Sequence, residues 1–546
     1  MPAGLNEREY NIILHKGVDY DVFWNDLKTL TNKDGIPNRI VEVANPRIAS
    51  LRQTHFYLTD IEKRLVRQHE WVLDVEIPPK NRTDIVKSID AIQSSNFTRN
   101  AQLNAQSNNW GLIRSSFKSN PYNGNDDTSL DYKYTLDGTG VDIVVTDSGI
   151  QSDHPEFQDS EGITRVQDVN WASLSGLSFT QHANHNRDLH GHGTHVAGIA
   201  AGKNFGWARN AKIYSLKISG LEAPADSGTG INDDYAFDAI KLWHRSKPID
   251  PNTGYKRPTI VNMSWGYVRE FEAGGNLHIT YRGTAIPSAS LQEAKSAGFN
   301  CYSTIEKWKL PYRVTSVDVD IEELIDEGVI VIAAAGNSNL KQSDTSDVDY
   351  NNAVTVDGGT TFYYNRGNSP CHSKDITVGA IDEVQYNNGG TYIDQRSSFS
   401  DHGPIVDMYA PGSGIISAVT DNLIYAKDEY QFDSNYMEAI LSGTSMSAPQ
   451  VAGIAALYLQ STPGMTPAKL KEVLLSNSST EVYNPSENPS GSLSFQVNSP
   501  KLVFNKYSNS NPLVYEGDFT TTSNISFYCY RYRFQLFTKE NHILTL

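Results

Sequence analysis

Cysteine is scarce in this chain, with Cys301, Cys371 and Cys529 the only three among 546 residues. They lie far apart and lack metal-ligand spacing, so a disulfide framework is excluded and at most one bridge can form. Long apolar runs are missing too: no stretch of about 18 apolar residues occurs, and no membrane-spanning helix is expected. The opening MPAGLNEREYN lacks the basic-then-apolar pattern of a secretory signal. Positive charge is in deficit, with 46 Lys and Arg against 63 Asp and Glu for a net charge of −17. That balance disfavours a nucleic-acid backbone or an anionic membrane as partner. What remains is an ordinary globular composition, 38% hydrophobic and 20% charged, which excludes a disordered, collagen-like or coiled-coil protein. At roughly 100–200 residues per domain, the length calls for more than one.

Residues 9–79 read as a compact β-α-β-β-α-β unit. Strand Tyr10–Leu14 leads into a helix capped by Asp19 or Asp21, whose Phe23, Leu27 and Leu30 recur at helical spacing on one face. A strand at Ile40–Val43 and another ending at Leu58 follow, and Thr59-Asp60-Ile61-Glu62 is a capping box opening a second helix. Trp71, Leu73, Val75 and Ile77 then alternate like a half-buried strand until Pro78-Pro79 stops pairing. Residues 80–109, rich in Asn, Gln and Ser and without a sustained period, read as an exposed linker.

From about residue 138, strands at Val141–Thr146, Ala211–Ile218, Thr259–Met263, Val329–Ala334 and Ile376–Ile381 alternate with helices near 194–202, 233–245, 319–327, 446–460 and 467–476. Thr466 and Pro467 supply the cap and first turn of the last helix. Near-continuous Val/Ile runs separated by helices imply an α/β fold with a mainly parallel sheet covered on both faces.

Four segments place reactive side chains at strand or helix ends. Val144-Val145-Thr146-Asp147-Ser148-Gly149 delivers a carboxylate at a strand's C-terminal edge, although Asp-Ser-Gly is also an ordinary turn. His190-Gly191-His192-Gly193-Thr194-His195 puts an imidazole able to exchange protons near neutral pH at a helix start. The same three histidines could instead hold zinc. Ser442-Gly443-Thr444-Ser445-Met446 places a serine where orphan N–H groups and the helix dipole favour developing negative charge, or it is simple capping chemistry. Ala333-Ala334-Ala335-Gly336-Asn337 ends a strand with a carboxamide that could turn the chain or face an oxyanion.

Taken together and in this order, the segments resemble the subtilase family of serine endopeptidases over residues 110–478. Trp110-Gly111-Leu112 is similar to the start of a mature subtilase, while Ser152-Asp153-His154-Pro155-Glu156-Phe157 and Arg396-Ser397-Ser398-Phe399-Ser400 look most like the proteinase K branch. The resemblance implies a three-layer catalytic domain at 110–479 with an insertion at about 267–315. Before it would come a ferredoxin-like α+β inhibitory prodomain and intramolecular chaperone at 1–79, then a processing linker at 80–109. Residues 480–546 form a tail of uncertain structure.

By the same resemblance Ser445 is the nucleophile, His192 the base and Asp147 the group that orients it, with Asn337 and the Ser445 N–H as oxyanion donors; these roles are carried over from the triad known in subtilisin. Ser264-Trp265-Gly266 would bind the substrate backbone, with Trp265 narrowing the cleft. Ala333, Ala334 and Gly336 would flank the primary pocket, and the Ser227–Gly230 loop, including Gly228, would form the other edge. The implied partners are polypeptide substrates and the chain's own prodomain. No cofactor is required for catalysis. A structural calcium is a candidate stabiliser that Asp126-Asp127 could ligate, although no dense Asp-x-Asp loop specifies a site. The rival readings are a zinc hydrolase built on His190, His192 and His195 and a non-catalytic binding protein on the same scaffold. With no export signal seen, an intracellular or virus-encoded enzyme or an incomplete gene start is expected.

Overall fold

The computed structural model describes residues 6–89, 91, 110–121, 132, 134–271, 277–299, 308–356, 359–383, 386–421, 425–479, 482–483, 502–505, 536–537 and 543–544. They belong to two compact units, divided after Ser510. In the second, Leu536–Phe537 pairs antiparallel with Ile543–Leu544.

The first unit begins with an antiparallel sheet ordered Val43–Asn45, Gln53–Leu58, Arg8–Leu14, Val72–Glu76. Helices Tyr20–Lys28 and Asp60–Val66 accompany it, and Tyr10, Ile12, Phe23, Leu27, Phe56, Val66 and Val75 form its core. Asp19 caps the first helix by accepting from Val22 N, and Thr59 with Glu62 makes the capping box of the second. Two expectations fail here. The first helix ends at Lys28, so Leu30 is 67% exposed instead of sharing the Phe23–Leu27 face. Leu73 is 39% exposed because the pairing shifts register between Ile13 and Leu14, skipping Leu73 and breaking the alternation that sequence spacing assumes.

The larger part of this unit carries a seven-stranded sheet among the described residues. Its order is Met408–Pro411, Ile376–Ile381, Ile330–Ala334, Thr259–Met263, Asp142–Asp147, Lys212–Lys217, Val166–Gln167, with every neighbouring pair parallel. Strand alternation divides the core. Ile143 and Val145 pack with helices His192–Ala201 and Thr444–Ser461, whereas Val144 packs with Asp233–Ser246 and Thr315–Asp326. The result is a three-layer α/β fold. By the same alternation Asp147 shares the face of Ile143 and Val145, which is the face covered by the His192 helix.

The insertion expected at 267–315 is only part of a substructure. Its hairpin, Leu277–Tyr281 and Thr284–Ala289, pairs with Ala353–Val356, which in turn pairs with Thr361–Tyr363. Leu277, Ile279, Ala294, Leu340, Val354 and Tyr364 fill the core beneath. Segments from the expected linker and tail also join the first unit. Ile85–Ser88 forms a strand on Gly266–Phe271, Val482–Tyr483 pairs with Thr391–Gln395, and Leu502 bridges to Tyr409 and Ser479. Cys371 is buried and unbridged, while Cys301 and Cys529 lie outside the described residues. Among the described residues, no helix is long and apolar enough to cross a membrane.

Beneath the small sheet lie two acidic helices. Arg47 bonds Asp238 and Asp320 at 2.8 Å each, and Lys241 reaches Asp238, Asp320 and Glu323. Gln53 Nε2 donates to the Ser316 carbonyl, and Ser316 N donates to Glu76 Oε1. Arg47 and Lys241 are therefore each paired with carboxylates, as burial of a charge in a poorly solvating interior requires.

Candidate active site

Asp147 terminates a central strand and is fully buried, as is His192 at the first position of its helix. The carboxylate oxygens lie 2.8 and 3.0 Å from His192 Nδ1, so Nδ1 carries the donated proton and Nε2 is left as an acceptor. His192 Nε2 is buried and, among the described residues, has no hydrogen-bond partner. Asp147 Oδ1 also accepts from Ser148 N at 2.7 Å.

Glycine makes this approach possible at Gly193, where a Cβ would lie 2.2 Å from the Gly149 carbonyl and 3.1 Å from Asp147 Cβ. Gly149 itself, at φ +116, has Arg187 O where a side chain would go.

Ser445 is the second residue of the Thr444–Ser461 helix, which packs against the His192 helix. Its Oγ donates to the Ser264 carbonyl at 3.0 Å, and Ser264 Oγ donates back to the Ser445 carbonyl at 2.9 Å. Ser264 follows the Thr259–Met263 strand, the direct neighbour of the strand ending in Asp147. Ser264 and Asp147 therefore lie at the C-terminal ends of adjoining strands, about 4.8 Å apart in the sheet, and Ser445 is tied to that edge through its hydrogen bonds with Ser264.

Asn337 Oδ1 accepts from Thr444 N and Thr444 Oγ1 at 2.9 Å each, which assigns the carboxamide oxygen to Thr444. Asp401 anchors this loop by accepting from Ser338 N and Leu340 N, and burial pushes its carboxyl up to about 7.

One cavity is lined by Ser445, Thr444, Asn337, Ala334, Gly336 and Trp265, together with Gly266, Asn368 and Ser88. The sequence-selected Ala333 is not in it and packs in the sheet core instead. Gly266 must lack a side chain, since a Cβ there would sit 1.8 Å from Asn368 Nδ2. Trp265 is buried, with Nε1 3.2 Å from Thr146 Oγ1 and its ring edge-on to Tyr267.

Gly228 is exposed with open space around it, and the neighbouring Ser219 carbonyl accepts from Lys87 at 2.6 Å. The three histidines do not assemble a metal site. His192 Nδ1 faces Asp147, His195 Nε2 lies 3.1 Å from the Ala439 carbonyl, and His190 Nδ1 is 3.4 Å from the Tyr425 hydroxyl. Burial pushes His195 down to about 3, keeping it a neutral core residue. Among the described residues, the one set of three metal-capable groups within 4.8 Å is Glu9, His55 and Asp234. There Lys80 already bonds Glu9 at 3.0 Å and Asp234 at 2.7 Å. Asp126 and Asp127 lie outside the described residues.

Sequence reasoning missed Asp188 and Ser148. Asp188 is buried and accepts from His190 N, Gly191 N and Ser148 Oγ on one oxygen and from Thr194 N and Oγ1 on the other. Ser148 Oγ in turn accepts from Gly193 N. An aspartate four residues before a helical histidine was the available signal, since it can reach the orphan N–H groups of the first turn.

In this three-layer α/β fold a buried Asp147–His192 pair ends one central strand, and Ser445 opens a helix packed against the His192 helix. A sequence profile of the subtilase family matches residues 138–501, well over half of the chain, and the chain belongs to that family. It is 27% identical over 397 residues to the alkaline serine exoprotease A of Vibrio alginolyticus, covering 73% of this chain and 51% of that protein. It is likewise 27% identical over 371 residues to a cuticle-degrading serine protease of Arthrobotrys oligospora, covering 67% and 63%. The chain thus spans between half and two thirds of the length of these relatives. Fervidolysin from Fervidobacterium pennivorans, a keratinolytic enzyme related to subtilisin, shares the fold with a TM-score of 0.51 at 18% identity, over 95% of this chain and 63% of that one.

Proposed function

We propose that the chain is a serine endopeptidase made as a self-processing zymogen. The observation that carries this reading is the buried Asp147–His192 pair, which leaves Nε2 without a hydrogen-bond partner among the described residues, beside the packed helix that Ser445 opens. Rotation about χ1 of Ser445 carries Oγ from the Ser264 carbonyl toward Nε2. Oγ then attacks the scissile carbonyl while its proton passes to Nε2, and Asp147 stabilises the imidazolium. The oxyanion is held by the Asn337 amide and Ser445 N–H. Collapse returns the proton from His192 to the departing amine and leaves an acyl-serine, which water hydrolyses by the same proton transfers in reverse order.

The N-terminal sheet and helices act as the chain's own inhibitor. Support comes from Ile85–Ser88, which adds a strand to Gly266–Arg269 and brings Ser88 into the cavity with Ser445. Processing falls between residues 89 and 109. Catalysis needs no cofactor, and a structural calcium is a family-based proposal only.

Expression of the native chain beside Ser445→Ala, followed by intact mass, N-terminal sequencing and casein hydrolysis, tests the reading. The native chain should lose its N-terminal segment and hydrolyse casein, whereas Ser445→Ala should stay full length and inert. Equal processing of the two by purified protein would contradict it.

A further inference from the structure

Lys87 occupies a built pocket beside the cleft. Its strand pairs antiparallel with Gly266–Arg269, placing Lys87 opposite Tyr267 and Ser88 opposite Gly266. The side chain is 8% exposed, and its ammonium lies 2.6 Å from Oδ1 of Asp233, itself only 7% exposed. The same ammonium donates to the Ser219 carbonyl at 2.6 Å and stands 5.7 and 5.8 Å from the ring centres of Trp265 and Tyr267. The Tyr267 hydroxyl donates to the other Asp233 oxygen. At the far wall, a Cβ on Gly220 would just touch Lys87 Cδ at 4.0 Å.

We propose that this pocket is a specificity subsite for a basic side chain, so that the enzyme selects polypeptides carrying Lys or Arg at the position that pairs with Tyr267. The inference rests on reading the cleft as the peptide groove of a protease. Strand pairing is made by backbone groups and is open to any extended chain, so the side-chain pockets supply the discrimination. Once residues 85–88 leave, Asp233 faces two aromatic rings with the Tyr267 hydroxyl as its donor. A Lys or Arg restores both the ion pair and the ring–cation contacts. An apolar side chain leaves a buried carboxylate without its counter-charge, and an acidic one adds repulsion.

The test uses the full chain after self-processing. kcat/KM is compared for internally quenched peptides bearing Lys, Arg, norleucine or Glu at each position before the cleaved bond in turn. One position should favour Lys and Arg over norleucine by about tenfold or more, with Glu the poorest. Asp233→Asn should bring the Lys-to-norleucine ratio there close to one. Equal rates for Lys and norleucine at every position, or an Asp233→Asn enzyme that keeps the ratio, would overturn the inference. The substrate panel on the unaltered enzyme decides even where the variant fails to fold. Casein hydrolysis without any basic preference defeats the subsite and leaves the protease reading standing. No hydrolysis of any peptide or of casein defeats both.

Discussion

Replacing Asp188 by Asn should damage catalysis without touching any residue proposed to meet substrate. The carboxylate takes five hydrogen bonds at 2.6–3.0 Å at the start of the His192 helix. An Asn amide nitrogen cannot accept, so at least the two bonds from Thr194 are lost, at about 1.5 kcal/mol or more each for a charged acceptor. Removing the negative charge from a helix N-terminus adds up to about 1–2 kcal/mol. The expected loss of stability is therefore about 3–5 kcal/mol, read as a shift in urea unfolding in a Ser445→Ala background that prevents self-digestion. Because Asp188 also holds Ser148, whose Oγ receives Gly193 N, the change should loosen His192 against Asp147. A displacement of about 1 Å costs on the order of 10²-fold in rate, so kcat should fall while KM changes little. Stability within about 0.5 kcal/mol of the parent, together with an unchanged kcat, would refute the assignment of Asp188 as the positioning residue of the histidine.

Asn337→Ala should lower kcat by about 10²–10³ with KM nearly constant in steady-state assays, because its amide is used on the oxyanion and little on the bound substrate. Burial raises the Glu76 carboxyl from 4.5 to about 7 where it accepts from Ser316 N. A raised value means that the contribution of Glu76 to docking is complete below about pH 4.5 and is lost as pH rises through about 7. Thermal melts of the unprocessed Ser445→Ala chain should accordingly lose stability between about pH 4.5 and 7, and the added Glu76→Gln change should flatten that loss. Identical pH slopes in the two proteins would count against it.

The α/β architecture was legible because buried parallel strands need uninterrupted Val/Ile runs, and Asp142–Asp147, Thr259–Met263 and Ile376–Ile381 are such runs. The Asp147, His192 and Ser445 segments were legible because each combines a reactive residue with the small neighbours that its tight packing requires, as at Gly193. Features created by distant pairing were hidden. Ile85–Ser88 becomes a strand only against Gly266–Arg269, and the Leu277–Ala289 hairpin only finds its sheet at Ala353–Tyr363. Leu73 was misplaced because a register shift is a property of two strands, not of one. The Ser219 carbonyl that meets Lys87 carries no sequence signal, since any residue supplies a backbone acceptor. Asp188 looked like any loop aspartate until its five donors were in place.

The central claim is that folding turns the Ser445 hydroxyl into a nucleophile through His192 and Asp147. Its most direct test is labelling of the processed enzyme with a fluorophosphonate, followed by peptide mapping of the adduct. The account predicts one phosphonyl group per molecule, carried by Ser445 Oγ, with labelling slowed at least about 10³-fold in His192→Ala. An adduct on another residue, or equally fast labelling without the imidazole, would contradict it.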